Sequence, residues 1–141
     1  MKLSLQILTP EKEVFNQEVD EVLVPTVMGE LGILPEHVAL LTQIQPGEIK
    51  IINGSKTDYL AITGGYLEVN NNKVNILGDY AIRSEEIEAS KAEEAIKRAE
   101  NKKKDKVSDE ELKALEDEIR RHVLEIKVSE LHKNRKRRLA S

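Results

Sequence analysis

All four prolines and all seven glycines of this 141-residue chain lie at or before Gly78. Residues 84–141 contain neither. Glycine supplies left-handed turns and proline interrupts backbone hydrogen bonding, so the first stretch is punctuated and the second is not. The second stretch is built from Glu, Lys, Ala, Leu and Arg, the strong helix formers. Charge divides at the same place. Residues 1–83 carry six basic and eleven acidic side chains, a net of −5. Residues 84–141 carry sixteen and fifteen, a net of +1, so the formal −4 of the whole chain is a sum of unlike parts. This split predicts a β domain over residues 1–83, followed by a helical segment over residues 84–141.

In the first part, Leu3, Leu5 and Ile7 alternate with polar residues at period two. Val22–Val24 is a short apolar run that Pro25 should close. Ile49, Ile51 and Ile52, then Asn53-Gly54, then Tyr59, Leu60 and Ile62 predict a hairpin with a connection longer than two residues. Gly64-Gly65 precedes Tyr66, Leu67 and Val69. Asn70-Asn71-Asn72 marks a turn before Val74, Ile76 and Leu77. Short strands at this spacing point to an all-β sandwich.

The second part reads as an antiparallel α-helical hairpin. Its first helix is expected from about Glu86 to Lys103, with Ile87, Ala92, Ala95, Ile96 and Ala99 facing inward. A lysine-rich break follows. Ser108 and Glu111 have capping-box spacing. Leu112, Leu115, Ile119, Val123 and Ile126 then form one apolar stripe on a charged rod. Five such aliphatics contribute roughly 1.5–3 kcal/mol each if fully buried. Ordering costs of ~1–2 kcal/mol per residue erode most of that. Such a hairpin needs a surface to lie on, and with two available surfaces a few kcal/mol decides between them.

Several function classes are excluded. There is no cysteine, hence no disulfide framework, thiolate metal site or thiol nucleophile. Four aromatics (Phe15, Tyr59, Tyr66 and Tyr80) do not make a base-stacking platform. No apolar run approaches the ~20 residues that span a bilayer. The N-terminus lacks a signal-peptide pattern, so a soluble, reducing-compartment protein is expected. His37, His122 and His132 have no ligand spacing, and Glu118 with His122 reads as a surface i,i+4 pair, so no metal site is expected. No catalytic residue set converges. A nucleic-acid-binding module using the basic tail is the alternative, disfavoured by the acidic β domain.

The stretch Gly29-Glu30-Leu31-Gly32-Ile33-Leu34-Pro35-Glu36-His37 resembles the signature of the epsilon subunit of F-type rotary ATP synthases. Read as residues alone, it is a tight turn between strands. Gly64-Gly65-Tyr66-Leu67-Glu68-Val69 and Val74-Asn75-Ile76-Leu77-Gly78-Asp79 are similar to the family's next two blocks. Ala81-Ile82-Arg83 leads into the helices, and Val128–Lys133 resembles the usual end. Ala39 stands where the family usually has proline, and Asn75 and Gly78 replace threonine and alanine. Residues 134–141 extend past the usual end.

The resemblance implies a non-catalytic central-stalk rotor subunit that couples proton translocation to ATP synthesis. Its sandwich would dock on the gamma subunit and the c-ring. Its helices, folded down or extended towards the alpha and beta subunits, would inhibit ATP hydrolysis. By resemblance, Met28, Glu30 and Leu31 face the c-ring and His37 faces gamma. The basic tail, Lys133, Arg135, Lys136, Arg137 and Arg138, would be drawn to an acidic loop of beta. Read as residues alone, that tail is a solvated, mobile end. No nucleic-acid partner is expected, and the membrane is met only through the complex. The expected location is the cytoplasmic face of a bacterial inner membrane; a plastid-encoded origin fits as well.

No cofactor is required by the family role. Some members bind regulatory ATP between the helices through an aliphatic, an aspartate, then arginine and alanine. Here the matching residues are Ile87, Glu88, Lys91 and Ala92, with Arg98 and Arg121 at further basic positions. Glutamate replaces aspartate, and lysine lacks arginine's bidentate fork. Glu125 stands where a second arginine on the same helix would help and would repel phosphate. ATP is therefore a doubtful ligand.

Overall fold

The computed structural model describes residues 1–140. They fall into two compact units, one Met1–Arg83 and the other beginning at Ser84. The first unit has ten strands: β1 Leu3–Leu8, β2 Glu13–Val19, β3 Glu21–Thr26, β4 Gly29–Ile33, β5 Leu40–Ile44, β6 Gly47–Asn53, β7 Lys56–Ile62, β8 Gly65–Asn70, β9 Lys73–Gly78 and β10 Ala81–Arg83. Hydrogen bonding runs β10-β7-β6-β3-β5-β8-β9-β1-β2, with β4 pairing on β3. The path folds over itself into a β-sandwich. All pairs are antiparallel except β1 with β9.

Period-two alternation builds the core. Leu3, Leu5 and Ile7 meet Ile49, Ile51, Leu60, Ile62, Leu67 and Ile76, all essentially without solvent exposure. Three strands, β2, β4 and β5, had no clear alternation in sequence. Two further details differ from expectation. Pro25 does not close β3: it stays in register opposite Glu30, and its carbonyl accepts the Gln45 N–H at 2.9 Å. The β6–β7 connection is only two residues, because Asn53 already pairs with Lys56.

Gly65 has a specific reason. Its φ is +147°, and a Cβ there would sit 2.0 Å from the Leu77 carbonyl oxygen. Only glycine allows β8 to approach β9 so closely. The β8–β9 loop is Asn71-Asn72, with φ of +50° and +62°. Both residues left-handed is the type I′ hairpin, which asparagine tolerates. At the β6–β7 turn, the Gly54 N–H donates to Asp20 Oδ2 at 2.6 Å, and Lys2 Nζ lies 3.1 Å from Asp20 Oδ1. The amide first, then the ammonium, holds the Asp20 carboxyl below the usual carboxylate range.

The second unit begins with a 3₁₀ turn, Ser84–Glu86, followed by α1 Ala89–Lys103 and α2 Asp109–Ala140. The first α-helix thus starts three residues later than the expected Glu86, because the 3₁₀ turn and extended Glu88 intervene. Ala92, Ala95 and Ala99 are buried, while Ile87 and Ile96 are only half-buried. The start of α2 is capped as its spacing predicts: the Glu111 N–H donates to Ser108 Oγ at 3.2 Å. The apolar stripe is rotated from expectation. Val123 is 41% exposed, whereas Glu125, Val128 and Ser129 are buried.

Candidate functional site

The hairpin joining β3 to β4 turns at Val27-Met28. Thr26 Oγ1 donates to the Gly29 carbonyl at 2.7 Å and accepts the Met28 N–H at 3.2 Å. This small network fixes the tip and leaves Val27 and Met28 exposed. Glu30 is exposed on β4, while the Leu31 side chain packs partly against the core. Of the three residues expected to face a partner here, two present their side chains outward and one is shared with the interior.

Beyond β4, residues 34–39 cross to β5. Leu34 and Val38 are exposed and His37 is half-buried between them. The His37 N–H donates to the Leu34 carbonyl, and His37 Nδ1 lies 2.7 Å from the Val38 carbonyl oxygen. On β8 and β9, Tyr66 and Leu77 are directly opposed and both exposed. Leu41 on β5 is also exposed. Sequence reasoning passed over Leu34, Val38, Leu41, Tyr66 and Leu77. For Tyr66 and Leu77 the signal was available in the outward positions of the strand alternation; β5, which carries Leu41, shows no clear alternation, and Leu34 and Val38 lie outside the strands.

In the second unit, a groove of about 340 Å³ opens between α1 and α2. It gathers Glu88, Lys91 and Arg98 from the expected nucleotide set. Ile87 and Arg121 do not line it. Its remaining ionisable walls are Glu86, Glu118, His122 and Glu125. Four carboxylates therefore face two fixed cations and one histidine. His122 Nδ1 lies 2.6 Å from Glu125 Oε1, and Nε2 lies 3.9 Å from Glu118 Oε1. The Glu118–His122 pair is only partly a surface pair: the His122 side chain is 16% exposed, because α1 covers this face of α2, while that of Glu118 is 41% exposed. Glu88 binds Lys91 at 3.1 Å on the rim. Lys103 of α1 and Glu116 of α2 lie 3.9 Å apart across the hairpin.

The basic residues Lys133, Arg135, Lys136, Arg137 and Arg138 lie on the last turns of α2. They are helical rather than a loose tail. Positive charge suits a helix C-terminus, where the dipole is negative. Among the described residues, no group of three or more His, Asp or Glu side chains is placed to hold a metal ion. No helix among them is long and apolar enough to cross a membrane.

Residues 2–84 match the family model described as ATP synthase, Delta/Epsilon chain, beta-sandwich domain. The ATP synthase epsilon chain of Herpetosiphon aurantiacus is 42% identical over 135 residues, spanning 96% of this chain and 99% of that one. The epsilon chain of Dehalococcoides mccartyi is 44% identical over 130 residues, 92% of this chain and 93% of its own. Among solved structures, a chain of the Euglena gracilis mitochondrial ATP synthase OSCP/F1/c-ring assembly superposes with a TM-score of 0.67. It shares 25% identity and covers 93% of this chain and 82% of its own.

Proposed function

The chain belongs to the ATP synthase epsilon chain family, central-stalk subunits of the F-type enzyme, and from that premise we propose a division of labour between its two units. The sandwich docks, and the hairpin regulates. Neither does chemistry: the subunit is a non-catalytic part of the rotor. The β3–β4 tip, with Met28 and Glu30, meets the c-ring; Leu31 stiffens the tip from within. Residues 34–39, with His37 between exposed Leu34 and Val38, meet gamma, and Leu41, Tyr66 and Leu77 extend that apolar surface. The complex holds the subunit at the cytoplasmic face of a bacterial inner membrane.

The hairpin inhibits ATP hydrolysis when it opens and extends along gamma towards the alpha and beta subunits. Its basic end is then attracted to acidic side chains of beta over a Debye length of ~8 Å. The observation that carries this reading is the composition of the helix–helix contact. Alanines and a His–Glu pair lie where a permanent hairpin would have leucines. Such a contact is weak enough to open. A chain ending at Arg83 should leave the assembled complex hydrolysing ATP faster than the full-length chain does. Equal rates would refute the inhibitory role.

ATP is not the ligand that holds this hairpin closed. Glu125 and His122 already satisfy each other inside the groove, and the carboxylates around them oppose a triphosphate. Calorimetry with ATP on the full-length chain should give no binding in the micromolar range; micromolar binding would contradict this reading.

A further inference from the structure

Three non-glycine residues have left-handed backbone among the described residues: Glu36, Asn71 and Asn72. All three meet at one junction. The Glu36 N–H donates to Asn72 Oδ1 at 2.6 Å, across 36 residues of sequence. Asn72 is itself held from the other side: the Ser4 N–H of β1 donates to its carbonyl at 2.8 Å. Its Nδ2 reaches Met1 Sδ at 3.6 Å.

The asymmetry between the two sides matters. Asparagine adopts left-handed backbone readily, and a type I′ turn calls for it. Glutamate does not adopt it readily, yet the Leu34–His37 turn, closed by the His37 N–H on the Leu34 carbonyl with Pro35 second, has Glu36 at the third position, where φ is positive. Glu36, at φ +67°, is thus a strained residue at a turn position better suited to glycine, and the bond to Asn72 offsets that strain from outside the turn. With Glu36 in that conformation, the chain turns so that Leu34 and Val38 both project to solvent on either side of His37. A relaxed Glu36 would re-aim those side chains.

We propose that Asn72 is a positioning residue for docking: its side-chain oxygen fixes Glu36 in the left-handed conformation and so presents the 34–39 loop to gamma. The inference rests on the reading that this loop is the gamma-facing surface. The partner is recognised by apolar contact with Leu34 and Val38. Asn72 touches none of it and acts only through Glu36.

The test uses the full-length chain and the complex lacking this subunit. Asn72→Gly keeps the left-handed turn and removes the oxygen. Its affinity for the complex should fall about tenfold, the scale of one well-placed hydrogen bond. Hydrogen exchange at the Glu36 amide should accelerate, while exchange in β8 and β9 stays as in the parent. Asn72→Asp retains the oxygen and should restore both. Val38→Ala is the control for the surface itself. Weakened binding by Val38→Ala with parental affinity for Asn72→Gly would overturn the positioning role alone. Parental affinity in both would overturn the docking reading and this inference with it. Unchanged exchange at Glu36 in Asn72→Gly, or no rescue by Asn72→Asp, would also overturn it.

Discussion

The sandwich and the hairpin solve the problem of burial in different ways. In the sandwich, buried positions are Leu, Ile and Val from nearly every strand, interdigitated between two layers. In the hairpin, they are Ala92, Ala95 and Ala99, then Val128, with Glu125 and Ser129 among them. An alanine contact removes little apolar area from water, so each buried residue stabilises the closed state weakly. A polar pair such as His122–Glu125 adds geometry more than net stability. The first unit is built to keep one shape under load. The second buries little apolar area, which suits the opening proposed for it. That difference is what the proposed division into a docking platform and a regulatory arm would require of one chain.

Four substitutions would sharpen or break this comparison. All three tyrosines, Tyr59, Tyr66 and Tyr80, lie in the first unit, so their signal reports the sandwich while helical circular dichroism reports the hairpin. Leu67→Ala, at a fully buried site, should cost the sandwich about 2–5 kcal/mol in a denaturant melt followed through tyrosine. A cost below ~1 kcal/mol would mean the sandwich is as loosely packed as the arm. Ala95→Leu should overfill the helix contact and destabilise the hairpin by roughly 1–3 kcal/mol, leaving the tyrosine melt unchanged. Ser108→Ala removes the α2 cap and should lower hairpin stability by about 1 kcal/mol, read at 222 nm.

The smallest effect concerns Asp20. Its folded-state pKa lies below the usual ~3.9 because of the Gly54 amide and Lys2. A lowered carboxylate pKa means that the charged form favours the fold. That contribution is complete above pH ~4 and is lost as pH falls through the lower folded value. Asp20→Asn should remove this pH dependence in acid melts of the sandwich. An unchanged acid limb would mean the contact does not persist in solution.

Much of the sandwich was legible because its core strands alternate strictly: Leu3, Leu5 and Ile7 declare a strand on their own. Strands β2 and β5 were not, because Phe15 and Val19 are the only buried residues of β2 and β5 buries only Thr42 and Ile44. Strand β4 was hidden by Gly29 and Gly32, which resemble turn chemistry. Pro25 misled for a related reason: it lacks a donor, but its carbonyl still joins the sheet. In the hairpin, the capping box was readable from spacing because it is local. The rotation of the α2 face was not, because Glu125 is buried with a partner, His122, that a pattern of apolar residues does not reveal. The Glu36–Asn72 tie was invisible for the same reason in stronger form, since nothing in either tripeptide announces the other.

The claim that the helices must part for hydrolysis to be inhibited can be tested with one engineered bond. Lys103 and Glu116 face each other across the hairpin, and the chain has no cysteine of its own. With Lys103→Cys and Glu116→Cys, joining the two thiols through a bis-maleimide whose linker contains a disulfide would hold the hairpin closed in the reconstituted complex. The account predicts ATP hydrolysis at the rate seen with the chain ending at Arg83, returning to the inhibited rate on reduction. A cross-linked complex that stays as inhibited as the one with its linker reduced would contradict it.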